Sequence, residues 1–339
     1  MTRRGLLGLA LSGALLAFAV YGLGSQLSGI EGVLVRLAAS GWWLAAAATT
    51  LQALRFAAYG ELSHSVLAAG GEHVSRGLVM RSTIAGAALG KTLPGSTTAA
   101  LAVMVRVLKA NGCDAARVTA GLAASGALSS VTLAALLPVG ALLTLLAGDG
   151  GRSLASGAGV AAGVVLGTVV ATAFAIGRPE SVCLVVERVT TPFERGPLRR
   201  WVHPKRASAV VRRGLVCVLS LLRTPRVLVR SAGWAVLSWL LDLAVFLLFA
   251  ATMGRGASLA TLLLVYVAGQ LVAAVPITPG GVGVVETAMI AAMVATGSPA
   301  DAAAATVLGW RLFSHLLPIA AGFAVLPSLR APRSEPVPR

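Results

Sequence analysis

Charge is scarce in this chain. Asp, Glu, Lys and Arg make up 12% of its 339 residues and apolar residues 57%, against about 25% charged in an ordinary soluble domain. That balance excludes a water-soluble globule. Acid is the scarcer sign, with 12 Asp plus Glu against 28 Lys plus Arg and a net charge of +16. Such an excess in a soluble protein points to nucleic acid, but aromatics are only 5% and sit mostly within apolar runs. Without stacking rings among the basic residues, nucleic acid is not expected as a partner. The three cysteines, Cys113, Cys183 and Cys217, have neither CxxC nor CxxxC spacing, so neither a disulfide framework nor a zinc site is indicated. The four histidines, His64, His73, His203 and His315, form no HExxH and no i, i+4 pair, which argues against a metal enzyme. Walker loop, Rossmann fingerprint and Ser-His-Asp order are all missing. No cofactor and no catalytic residue is expected, and the chain reads as a non-enzyme.

Long apolar runs are what it has. A membrane span needs about 20 apolar residues, and eight or nine hydrophobic segments can be marked. The fold class expected is an all-α polytopic transmembrane bundle, one integral membrane domain over 1–330 with a disordered basic tail, 331–339. The first run, 5–23, follows Thr2-Arg3-Arg4 and could be a secretory signal cut near Ala17-Phe18-Ala19. An uncleaved first helix is the better reading, because the remaining chain is itself membrane-embedded. The second, 41–62, opens on the interfacial pair Trp42-Trp43 and carries Arg55 and Glu61 near its far end.

A polar stretch, 63–81, precedes a short apolar segment, 82–93, that breaks at Leu93-Pro94-Gly95-Ser96. A helix over 99–110 and long runs at 118–147 and 154–177 follow. The basic region 178–230 reads as a loop, with 207–222 amphipathic enough to lie on the membrane surface. Runs resume at 231–252 and 259–275, break over 276–283, and continue as helices at 284–296 and 302–326.

Arg and Lys bias sets orientation. Both termini, 63–81 and 178–230 are basic and are expected on the cytoplasmic side of the inner membrane, whereas 24–40, 148–153 and 253–258 are nearly uncharged and expected outside. Segment 82–110 must then begin and end inside, and 259–296 must begin and end outside. About six crossings result, with two hairpins entering from opposite faces. Sliding the chain against itself by 185 residues places Pro94-Gly95 on Pro279-Gly280, Met104 on Met289 and Gly112 on Gly297. The halves 82–147 and 259–326 therefore read as an inverted repeat, a common transporter construction. Arms of 12 to 17 residues rise about 18–25 Å, short of the roughly 30 Å hydrocarbon core. Irregular backbone at that depth is tolerated only where protein or water covers it, so a polar cavity is expected at the tips.

The second break is the most informative segment. Pro276 and Pro279 stop the incoming helix, Gly280, Gly281 and Gly283 permit positive φ and close backbone approach, and Glu286 stands in the first turn of the next helix. Such a helix end can hold an anion, or the glycines can simply make a tight turn. Glu286 and Arg311 are intramembrane charges, costly unless paired or facing a cavity. They read as a structural ion pair, or functionally as a polar headgroup site or a proton-coupled carboxylate, and the structural and functional readings can hold together. Asp242, Arg55 and Lys91 have the same status, and Arg55 can also snorkel to the interface. His315 follows Arg311 by one helical turn, as a packed residue or a proton shuttle, and Gln270 lies on the arm leading into the break.

Pro-x-x-Pro-Gly-Gly-x-Gly-x-x-Glu over 276–286, preceded by Trp239-x-x-Asp242 and followed by Arg311, resembles the transmembrane region of lysylphosphatidylglycerol synthases, also called the flippase-like family. The resemblance is strong over about 231–326 and weaker over 41–147, where Gly41-Trp42, Arg55, Leu93-Pro94-Gly95 and the basic end of the following helix fit. Many members carry Arg and an acid after the first Pro-Gly, where this chain has Ser96-Thr97-Thr98-Ala99. The resemblance implies a module that moves aminoacylated phosphatidylglycerol across the bilayer, the aminoacyl transfer belonging to a separate soluble domain. None is expected here, since only 13 residues follow the last helix. The function expected is binding and translocation of an anionic or aminoacylated phospholipid, or of a lipid-linked precursor. Two other classes compete: a membrane-embedded transferase acting through Glu286 or Asp242, and a non-catalytic partner that docks an envelope-synthesis enzyme through 178–230.

Overall fold

The computed structural model describes residues 42–92, 96–146, 180, 184, 224–253, 257–274 and 281–329. The expected runs at 5–23 and 154–177, the amphipathic 207–222, most of the 178–230 loop and the 331–339 tail lie outside the described residues. So do the Pro-Gly tips at 93–95 and 275–280. Among the described residues the fold is all-helical.

The first helix, α1, spans Trp42–Ala69 and is longer than its apolar run. Its last turns hold Ser63, His64 and Ser65, which read as loop by polarity alone. A helical serine can satisfy itself on the i−4 carbonyl, and Ser65 Oγ donates to the Glu61 carbonyl at 2.7 Å. The turn beyond is tied back by His64 Nε2, 3.1 Å from the Val74 carbonyl. The polar stretch 63–81 is therefore mostly helix, since α2 spans Arg76–Thr92 and starts six residues before the expected 82. Helix α3 spans Ser96–Ala110 and packs along α2, with Gly86 against Ala100 and Met104. Helix α4 spans Ala115–Leu146, begins where Asp114 Oδ1 accepts the Arg117 N–H at 2.8 Å, and carries Pro138 inside it.

Helix α5 spans Pro225–Met253. It starts before the expected 231, because proline suits the first helical turn, and so takes Arg226 and Arg230 out of the loop. Helix α6 (Leu259–Ala274) packs on α7 (Val284–Ala295) with Gly269 against Met289. The last rod is α8 (Ala300–Arg311), a π turn (Leu312–Leu316), α9 (Leu317–Val325) and a 3₁₀ turn to Leu329. The π turn has a local cause. Pro318 has no N–H for the Ser314 carbonyl, and the ladder slips one place as Leu317 N–H bonds to the Leu312 carbonyl.

Packing pairs the elements reciprocally. Helix α1 lies along α5 as the central contact, and antiparallel: Leu44 and Ala48 share a core with Phe246 and Phe249, Gln52 bonds Asp242, and Leu62 and Val66 cluster with Val227 and Ala235. Helix α2 packs on α9 and α6 on α4, while α4 packs on α1 and α8 on α5. Both hairpins end alike. Gly112 and Gly297 have φ of 90° and 94°, the conformation that favours glycine at a helix C-terminus. Cys113 N–H closes on the Leu108 carbonyl as Ser298 N–H closes on that of Met293.

Three rods are long and apolar enough to cross a membrane: Ala115–Gly140, Pro225–Met253 and Ala300–Leu329. Although α1 has 28 residues, it is not among them, because Gln52, Arg55 and Glu61 dilute its apolar content. Its polar side chains are covered by α5 and by the hairpin arms, which is where the site lies.

Candidate functional site

Five side chains singled out in the sequence face one cavity of about 340 Å³: Arg55 from α1, Lys91 from the end of α2, Gln270 from α6, Arg311 from α8 and His315 from the π turn. Phe56, Tyr59, Thr83, Ser238 and Met104 complete much of its wall. Residues from both hairpins and from the long helices thus meet at one place.

Asp242 stands behind this wall and is fully buried. Its carboxylate accepts hydrogen bonds from Gln52 Nε2 at 2.8 Å, Tyr266 Oη at 2.7 Å and Gln270 Nε2 at 2.8 Å. Arg55 Nε stands 3.5 Å from Asp242 Oδ1. A buried carboxylate with this many donors is held in one orientation. Arg55 does not snorkel away: its guanidinium lies 5.4 Å from the Phe56 ring centroid and 5.9 Å from that of Trp239. Trp239 is itself fixed by donating Nε1–H to the Ser129 carbonyl at 2.9 Å.

The second charged pair stands at the start of α7. Arg311 Nε lies 2.8 Å from Glu286 Oε1, and both side chains are less than a tenth exposed. Glu286 Oε2 accepts the Gly283 N–H at 2.7 Å, a capping interaction at the start of α7. That N–H is therefore occupied by the chain's own carboxylate instead of being open to an external anion. Gly281 (φ 70°) and Gly283 (φ 85°) adopt the left-handed conformation expected of them, and the Gly281 carbonyl receives Arg311 Nη2 at 3.4 Å. On its other side Arg311 Nη1 is 3.4 Å from His315 Nδ1. A guanidinium only donates, so Nδ1 accepts. The Trp310 ring, 5.3 Å from the Arg311 guanidinium, packs edge-on against Phe246 and Tyr266 and holds the segment rigid.

Lys91 differs from the two arginines. Among the described residues no carboxylate lies within ion-pair distance of it, and it is half-buried at the cavity wall. Pro94, Gly95, Pro276, Pro279 and Gly280, also expected at the site, lie outside the described residues. Gln52, Tyr266, Tyr59 and Ser238 were not anticipated, because single polar residues in apolar helices carry no spacing signal. Only the partner across the bundle, 190 positions away for Gln52 and Asp242, reveals them. No group of three or more His, Cys, Asp and Glu able to hold a metal occurs among the described residues.

Membrane-length helices around a cation-lined cavity define a helical integral membrane protein with a polar site among its helices. Sequence comparison gives the particular kind: the chain belongs to the lysylphosphatidylglycerol synthase transmembrane-region family, whose profile matches residues 5–322. Among curated proteins no sequence matches it.

Proposed function

We propose that the chain binds the anionic headgroup of a membrane lipid or lipid-linked precursor in the cavity and carries it across the cytoplasmic membrane, the acyl chains staying in the bilayer. The observation that carries this reading is the convergence of Arg55, Lys91 and Arg311 on one cavity among membrane-length helices. Buried cations are costly unless they serve a ligand or a path. In this reading Arg311 and Lys91 hold the phosphate, Glu286 positions Arg311, and Asp242 with Gln52 and Tyr266 positions Arg55.

The carrier is an inverted repeat with six crossings and two opposed hairpins. At the same offset of 185 residues α1 corresponds to α5, α2 to α6, α3 to α7 and α4 to the last rod. The reciprocal packing of α2 on α9 and α6 on α4, the antiparallel run of α1 on α5, and the matched turns at Gly112 and Gly297 support it. Two units related in this way can exchange conformations, opening the cavity first to one face and then to the other.

Proteoliposomes carrying the full chain and a fluorescent phosphatidylglycerol test the reading. Reductant-accessible probe should rise with the wild type and not with Arg311→Ala or Lys91→Ala folded to the same extent. Equal movement with both variants would remove the transport reading and leave the docking one, which needs neither residue. Release of a modified lipid from the wild type would favour the transferase. For topology, single cysteines at Asn111 and Ala295, with the native cysteines replaced by serine, should label from opposite faces. Labelling from one face refutes the inverted arrangement.

A further inference from the structure

We infer that the cavity selects a lipid phosphate with no ammonium group and excludes aminoacylated, cationic headgroups, with Lys91 as the specificity-determining residue. The inference rests on the headgroup reading above and narrows its substrate class. It follows from where the charges of the site are spent. Three cations, Arg55, Lys91 and Arg311, stand at the cavity wall. The two carboxylates near them, Asp242 and Glu286, are already engaged.

Asp242 is saturated by Gln52, Tyr266, Gln270 and Arg55. Glu286 divides its two oxygens between Gly283 N–H and Arg311 Nε. With Lys91 protonated the site holds one positive charge in excess, and among the described residues Lys91 is the cation of the three with no acid beside it. A phosphate on a lipid supplies the missing negative charge. An aminoacyl ester of lysine brings two further ammonium groups and turns the headgroup into a net cation. It would meet Lys91, Arg55 and Arg311 with neither Asp242 nor Glu286 free to receive it, and like charges brought together in this way are disfavoured. The rest of the polar wall, Tyr59, Thr83, Ser238, Gln270 and His315, carries no carboxylate that could offset this. A volume of about 340 Å³ lies at the small end of ligand cavities, which run from about 300 Å³ upwards. It suits a phosphate with a small uncharged substituent better than a long diamino ester.

The inference is tested by native mass spectrometry of the purified full chain with four lipids of matched acyl chains: phosphatidic acid, phosphatidylglycerol, phosphatidylcholine and lysyl-phosphatidylglycerol. The two anionic lipids should be retained at least about tenfold more strongly than the other two, a difference worth about 1.4 kcal/mol. Phosphatidic acid against phosphatidylglycerol tells whether a bare phosphate or a phosphodiester is preferred. Lys91→Glu should reverse the order of phosphatidylglycerol and lysyl-phosphatidylglycerol. If that variant does not fold, Ala87→Glu, one turn earlier on the same cavity wall, supplies the acid from a neighbouring position and should shift the ratio the same way. Equal retention of phosphatidylglycerol and lysyl-phosphatidylglycerol by the wild type, both lost in Arg311→Ala, would keep the site and overturn the selectivity. A ratio unmoved by the Glu variants would overturn it as well. Retention of all four lipids unaffected by Arg311→Ala would instead overturn the headgroup site itself.

Discussion

Neutralising Glu286 should be strongly destabilising, and the cost should be recoverable. In Glu286→Gln the amide oxygen can still accept the Gly283 N–H, so the start of α7 keeps its cap. What is lost is the counter-charge 2.8 Å from Arg311, in a pair whose side chains are 6% and 7% exposed. Removing one partner of such a buried pair typically costs roughly 3–5 kcal/mol, because the remaining ion stays desolvated without compensation. For a chain of this size that corresponds to a fall in melting temperature of roughly 5–15 °C. Arg311→Met should lose a comparable amount, since Glu286 then loses its counter-charge. The double variant places an amide beside a thioether and buries no charge, so it should recover at least about 2 kcal/mol relative to the sum of the singles. Thermal unfolding of the detergent-solubilised protein, followed by circular dichroism, measures all three. Single variants melting within about 2 °C of wild type, or a double variant as unstable as the sum, would refute the claim that this pair is a buried, mutually dependent unit.

Two further changes probe the packing and the network. A Cβ at Gly322 would press on the Ala88 side chain and on the Ile84 backbone of α2, whereas one at Gly269 meets only the flexible Met289 side chain. Gly322→Ala should therefore destabilise by roughly 1–3 kcal/mol and Gly269→Ala by clearly less, read as the difference in melting temperature. Tyr266→Phe removes one of the donors on Asp242 while Gln52 and Gln270 remain. The expected loss is about 1 kcal/mol, with weaker anionic lipid retention if Arg55 loosens. Asp242→Asn should cost more, since it also strips Arg55 of its counter-charge.

The elements legible in the sequence were those with chain-local causes. Proline and glycine marked where the hairpins stop, the 185-residue offset paired Gly112 with Gly297 before their matched turns were seen, and the few charges in apolar runs named Arg55, Lys91, Asp242, Glu286 and Arg311. Polarity misled at helix ends. Ser63 to Ala69 looked like loop because hydropathy does not register a serine that bonds its own helix, and Arg226 and Arg230 looked like loop because basic residues at a helix start resemble a basic connector. Illegible altogether was the polar network. Gln52 is one amide in a long helix, and nothing within its own window says that its partner is an aspartate on a helix in the other half. That information exists only once α1 and α5 lie side by side.

The last rod has a mechanical consequence. Its first part brings Arg311 to Glu286 at the start of α7 in one hairpin, and its second part seats Gly322 against α2 of the other, with the π turn between them. A single stretch of backbone is thus clamped at both ends to parts that must move in opposite senses if the cavity is to change faces. The slipped ladder at Leu312–Leu316 lies between the two grips, where a twist of the rod under the proposed cycle would disturb neither. In the proposed transport cycle, displacement of one hairpin would be transmitted through this rod to the other, so that the two would open in step instead of independently.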